Sequence, residues 1–181
     1  MARYGLAAGA EILEIPYDRG ELATLFRDLK FSRGAEIGVE KGNFSETLCL
    51  ANPGLQLHCI DPWKIRPQHF EKACTRLSPY HCSLIRKNSM EAVVEFGPES
   101  LDFVYIDARH NFDYVVRDII EWTKVVRMGG IVSGHDYVPL DRKGQADDLG
   151  VIEAVNGYVS AHHLWPLFVF SKCRSWMFVK E

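Results

Sequence analysis

Short apolar runs alternate with amphipathic stretches along this chain, which is the pattern of repeated strand–helix units. Residues 19–31 place Leu22, Leu25, Phe26 and Leu29 on one helical face. Ala35–Val39 reads as a first buried strand. Phe44–Ala51 reads as a helix that stops ahead of Asn52-Pro53-Gly54. Leu55–Ile60 predicts a second strand, closed by Asp61-Pro62-Trp63 and followed by a helix near 68–77. Cys82–Arg86 predicts a third strand, after which Ser89 is placed to cap a short helix ending before Gly97-Pro98. Leu101–Ile106 is the most strand-like run and ends at Asp107. Residues 112–127 predict a long amphipathic helix carrying Val115, Val116, Ile119, Ile120 and Trp122, terminated by Met128-Gly129-Gly130. Ile131–Ser133 predicts a fifth strand ending at Gly134-His135-Asp136. A polar loop follows over 138–149, then a helix over 151–162. The tail, LFVFSKCRSWMFVK, reads as two strands around a turn near Lys172–Arg174. The expected class is therefore α/β: a doubly wound, mostly parallel sheet closed by a β-hairpin.

Composition narrows this picture without redirecting it. A length of 181 residues, 47% of them hydrophobic, suits one domain spanning 1–181, with 1–18 as an N-terminal arm. A net charge of −3, with no basic stripe, argues against a nucleic-acid partner. The chain has no apolar run near the roughly 18 residues that span a bilayer, so no membrane partner is expected. Glu11 and Glu14 interrupt any signal-like stretch at the N-terminus. The five cysteines are odd in number and scattered, without disulfide or zinc spacing. They are expected to be buried or free thiols of a cytoplasmic protein.

Candidate chemistry lies at the carboxyl ends of the predicted strands, where open parallel sheets bind ligands. Each end carries polar groups: Gly38–Gly42, Asp61, Asn88-Ser89, Asp107 with His110, and His135-Asp136. In EIGVEKGNFS, Gly38 and Gly42 allow a sharp turn and close approach to a ligand. Ser45 and the free N–H groups of the helix start favour an anionic group. Asp61 is placed to accept ribose hydroxyls. The turn lacks the G-x-G-x-x-G spacing of a dinucleotide site, and Glu36 would repel a pyrophosphate. Glu36 instead suits a cofactor bearing an ammonium or sulfonium. Asp107 and His110 are three residues apart at a strand-to-helix turn, and Asp136 should lie beside Asp107. Two carboxylates in one cleft repel unless a cation lies between them, and Mg²⁺ would resolve this. In the plainer alternative, Asp107 caps the next helix and Asp136 accepts loop N–H groups. His110 is the best-placed general base. His135 could be a ligand, an orienting group or a packing residue.

The strings EIGVEKGNFS, CIDPW, FVYIDARHNFDYVVRDI and GGIVSGHDY resemble the class I S-adenosylmethionine-dependent methyltransferases. More narrowly, they are similar to the small-molecule O-methyltransferases related to macrocin O-methyltransferase and cephalosporin hydroxylase-like proteins, of methyltransferase family 24 type. The resemblance covers about residues 33–180. It implies a Rossmann-like, seven-stranded sheet of order 3-2-1-4-5-7-6, counting the predicted strands. It also implies S-adenosylmethionine held by Glu36, Gly38, Gly42 and Ser45 at its methionine part and by Asp61 at its ribose. Trp63 and Ser89 would lie near the adenosine, and Asp107 would border the cofactor. Asp107 and Asp136 would hold Mg²⁺, with His135 in the place where macrocin-type enzymes carry a second acid. His110 would deprotonate the acceptor, a hydroxyl of a small molecule. The usual middle glycine of the first motif is replaced by Glu40. So little chain lies outside the core that a homodimer could complete the lid. Two other functions fit less of the pattern: a nicotinamide-dependent oxidoreductase, opposed by the glycine spacing and Glu36, and a non-catalytic S-adenosylmethionine-binding module, opposed by the retained Asp107 and His110.

Overall fold

The computed structural model describes residues 12–138 and 150–181. The elements run β1 (Ile12–Ile15), α1 (Arg19–Asp28), β2 (Arg33–Ile37), α2 (Asn43–Ala51), β3 (Gln56–Ile60), α3 (Gln68–Leu77) and β4 (Cys82–Ile85). They continue through α4 (Ser89–Val93), β5 (Leu101–Ile106), α5 (Phe112–Val125), β6 (Val126–Gly134), α6 (Val151–His162), β7 (Leu167–Phe170) and β8 (Ser175–Val179). Among the described residues they form one eight-stranded sheet of order β1-β7-β8-β6-β5-β2-β3-β4. Only the β6–β8 and β7–β8 pairings are antiparallel.

Seven of these strands take the expected order. The eighth corrects the count: Ile12–Ile15, read as part of an arm, pairs in parallel with β7, Ile12 against Leu167 and Ile15 against Phe170. A four-residue edge strand has little periodicity of its own, and here its partner lies at the other end of the chain.

Side chains alternate across the strands and divide the core in two. Val104, Ile106, Ala35 and Ile37 face α4, α5 and α6, packing with Ile119, Trp122 and Val155. Phe103, Tyr105, Leu57 and Cys59 face α1, α2 and α3, packing with Leu22, Phe26, Leu48 and Leu77. Phe26 stacks on Phe103 with ring centroids 4.2 Å apart. Burying a side chain of this size contributes about 1.5–3 kcal/mol.

Three local expectations are corrected. Gly129-Gly130 does not end α5; that helix stops at Val125, and β6 already runs through both glycines. The sheet explains this: the β5–β6 register shifts between Leu101 and Phe103, and a Cβ on Gly130 would lie 2.5 Å from the Asp102 carbonyl. The first parallel strand ends at Ile37 rather than Val39, because Gly38 turns out of the sheet at φ +94°. Asn88, not Ser89, caps α4, in a capping box with Glu91.

Candidate active site

The turn after β2 has the close approach that its glycines imply. Gly38 donates its N–H to Ile60 across the β2–β3 junction, 2.8 Å. A Cβ at Gly38 would lie 2.1 Å from the Asp107 carbonyl. Gly42 is the N-cap of α2 in the left-handed region, φ +76°. The turn between them is clamped to the end of β3. Asp61 accepts the N–H groups of Glu40 at 3.0 Å and Trp63 at 2.7 Å, and the Trp63 indole donates to the Glu40 carbonyl at 2.7 Å. The Trp63 ring is buried against Phe70. It therefore fixes the turn rather than offering an open face.

Glu36 lies in β2 beside Cys59 and Tyr105, facing α2, and its side chain is buried. The Ser45 hydroxyl, in the first turn of α2, holds it. Burial pushes the Glu36 carboxyl up to about 8, against the opposing effects of Ser45 and Arg19. At neutral pH this acid is therefore protonated, which corrects the expectation of a standing negative charge in the cradle. A cation placed beside it would favour ionisation again. The folded value lies above the ordinary 4.5, so the associated stability is complete at low pH and is lost as pH rises from about 4.5 to about 8. Glu36→Gln should flatten that part of the stability profile. Denaturant unfolding at about pH 5 and about pH 9 measures it, and an unchanged slope would assign the titration to another group.

Ser89 follows β4 in the first turn of α4. Its hydroxyl joins Asp118 and receives the Trp122 indole N–H at 2.8 Å, tying α4 to α5.

Asp107, His110 and Asp136 converge. Asp107 follows β5, its N–H bonded to the Ile37 carbonyl at 2.7 Å. His110 follows three residues on, its backbone carbonyl accepting from Gly150 at 2.8 Å. Asp136 leaves β6 at φ +56°, and Tyr137 beside it bonds to the Arg174 carbonyl of the terminal hairpin. His110 Nε2 lies 3.5 Å from Asp107 Oδ1 and 3.2 Å from Asp136 Oδ2. One donor atom from each of the three residues falls within 4.8 Å of the others. His135 stands outside this group. Its Nδ1 faces Asp136 Oδ1 at 3.1 Å and lies 3.8 Å from Asp107. His135 pulls the Asp136 carboxyl below its ordinary range, with His110 and Arg19 adding to the effect despite partial burial.

The sequence reading missed Arg19. Its guanidinium donates to Asp107 Oδ2 at 3.0 Å and sits 5.2 Å over Phe44 and 5.6 Å over Tyr105. A capping box aims it there. Asp18 accepts the N–H groups of Gly20 and Glu21, and Glu21 accepts that of Asp18, which fixes Arg19 in the first turn of α1. The capping box was visible in the sequence; the long-range partner was not. Arg142 and Lys143, in the polar loop over 138–149, lie outside the described residues. Tyr137 donates to Asn156 at 2.9 Å.

A doubly wound sheet with a glycine turn, an acid after the next strand and a polar cluster beyond them defines a class of α/β enzyme that binds a nucleoside-bearing cofactor at its strand ends. A family profile described as "Methyltransferase domain" matches residues 35–137, more than half of the chain. The protein belongs to this methyltransferase family. No curated protein sequence matches it. Solved structures share its fold. A Corynebacterium glutamicum protein superposes with a TM-score of 0.71 at 16% identity, over 99% of this chain and 85% of that one. An O-methyltransferase of Bacillus cereus in complex with SAH gives 0.66 at 15%, over 99% and 86%. The O-methyltransferase TomG of Streptomyces achromogenes, involved in tomaymycin synthesis and in complex with SAM, gives 0.66 at 19%, over 90% and 80%. Among the described residues, no helix is long and apolar enough to cross a membrane.

Proposed function

We propose that the protein transfers the methyl group of S-adenosylmethionine to a hydroxyl of a small molecule, using His110 as general base. The observation that carries this is the convergence of His110 on Asp107 and Asp136, beside a glycine turn whose Gly38 has no room for a side chain against Asp107. The cofactor supplies an electrophilic methyl on a sulfonium. Asp61 retains acceptor lone pairs for ribose hydroxyls after binding two backbone amides. Gly38, Gly42 and Glu36 shape the methionine end. Catalysis would then consist largely of holding the acceptor oxygen in line. His110 removes the acceptor's proton, and Asp107 and Asp136 stabilise the resulting imidazolium. Arg19 balances the second oxygen of Asp107.

The same donors fit a divalent cation, since two carboxylates and one imidazole meet at metal-binding spacing. In that alternative arrangement Asp107, Asp136 and His110 would hold the ion, His110 would no longer be free to act as base, and the ion would supply Lewis acidity toward the acceptor hydroxyl. An imidazole nitrogen suits Mn²⁺ better than Mg²⁺, which prefers oxygens alone. Titration calorimetry tests the cofactor assignment: S-adenosylhomocysteine should bind and NAD should not. Asp61→Ala should weaken S-adenosylhomocysteine by about tenfold or more, through loss of charge-assisted hydrogen bonds. Equal binding by wild type and variant would remove Asp61 from the site. One domain over 1–181, a cytoplasmic location and a homodimeric lid belong to the same proposal, and sedimentation at assay concentration checks the last.

A further inference from the structure

Three cysteines that the proposed chemistry does not use come together under the cofactor cradle. Cys59 sits in β3 directly beside Glu36, and Cys82 sits in β4 opposite Leu57, on the same sheet face. Cys49 reaches that face from α2, and its Sγ lies 3.5 Å from Cys82 Sγ. Cys59 Sγ contacts the Ser45 hydroxyl at 3.6 Å, and Ser45 in turn holds Glu36. Ser45 and Cys49 are one turn apart on the buried face of α2. A continuous buried path therefore runs from the thiol pair to the acid of the cradle.

We propose that Cys49 and Cys82 are a reversible dithiol–disulfide site whose closure loosens the α2 end of the cofactor cradle. Closure requires the two sulfurs to draw together from 3.5 Å to the ordinary S–S bond length of about 2.05 Å. Hydrogen bonds from the Cys49 and Cys59 thiols and the nearby His81 favour the Cys82 thiolate, lowering its pKa despite burial. Cys82 is also the more accessible partner, being half-buried on the edge strand, whereas Cys49 is buried. It is therefore the nucleophile toward hydrogen peroxide. Its sulfur attacks one peroxide oxygen, an S–O bond forms, the O–O bond breaks, and the departing hydroxide is protonated to water. The Cys49 sulfur then attacks Cys82 Sγ; the S–S bond forms, and the oxygen leaves as water with the Cys49 proton. The two sulfurs lose two electrons, and the peroxide gains them. Drawing Cys49 toward β4 moves a close-packed helix. Ser45, one turn away, then loses its fit to Glu36.

The test treats the whole protein with hydrogen peroxide and maps disulfides by mass spectrometry, with hydrogen exchange over residues 42–49 as second readout. The expected results are loss of two hydrogens in mass, a Cys49–Cys82 cross-link that dithiothreitol reverses, and amide exchange in that segment faster by about tenfold. Cys82→Ser and Cys49→Ser should each abolish both changes. Cross-links at Cys74 or Cys173 instead, over-oxidation of Cys82 without a bridge, or a bridge with unaltered exchange would overturn the proposal. The cradle's role rests on the proposed function. Neither readout depends on methyl transfer, so the two readings fail separately.

Discussion

His110→Ala is expected to lower kcat for methyl transfer by about 10²- to 10⁴-fold while leaving S-adenosylhomocysteine affinity within about threefold. The asymmetry follows from position. His110 touches Asp107 and Asp136, whereas the proposed cradle is built from the turn after β2 and from Asp61. Lost cofactor binding in the variant would make His110 part of the cradle and end its assignment as base. The assay also separates the two readings of the cluster. If His110 is the base and no ion takes part, chelation by EDTA should leave wild-type turnover unchanged. If His110 is instead a metal ligand, EDTA should reproduce the variant's defect, and Mn²⁺ should restore the wild type alone.

Gly38→Ala should be the most damaging single-methyl change in the described chain. Two independent costs add. The backbone at φ +94° lies where L residues are strained, about 1–3 kcal/mol. The new Cβ would also meet the Asp107 carbonyl at 2.1 Å and its carbon at 2.5 Å, both backbone atoms. Relieving such overpacking costs about 1–3 kcal/mol more. A loss on the order of 4 kcal/mol, read from the denaturation midpoint at constant m-value, is the expected outcome. Any relief must push β5 and its following turn outward, so the surviving folded protein should also bind S-adenosylhomocysteine poorly. A fully stable variant would show that the turn after β2 is not packed as described.

Much of this was readable from the sequence. The runs LDFVYI and LFVF and the helices over 68–77 and 151–162 are strongly patterned, and the structure places them at those positions. The strand-end rule brings Asp107, His110 and Asp136 together from sequence alone, and their donor atoms do converge. What escaped depends on partners distant in the chain. ILEI has no strand identity without β7, and Arg19 looks like an ordinary helix-start residue until Asp107 is seen in front of it. Glu36 was found, but its protonation was not. Its neighbours along the chain suggest an ionised acid, whereas its neighbours in space are Ser45, Cys59 and Tyr105. The double glycine at 129–130 was read as a helix stop because the bulge it serves exists only once β5 lies beside β6.

The edge strand β1 also bears on the order of assembly. The Ser171 hydroxyl donates to the Ile15 carbonyl across 156 positions, and every β1 partner in the sheet lies in β7. During synthesis, the cradle's elements from β2 to β5 are all made before β7, whereas β1 must wait for β7 before it can pair. The segment leading into Arg19, made before β2, is thus among the last of these elements to dock. A nascent chain interrupted before β7 would carry a cradle but no seated first strand.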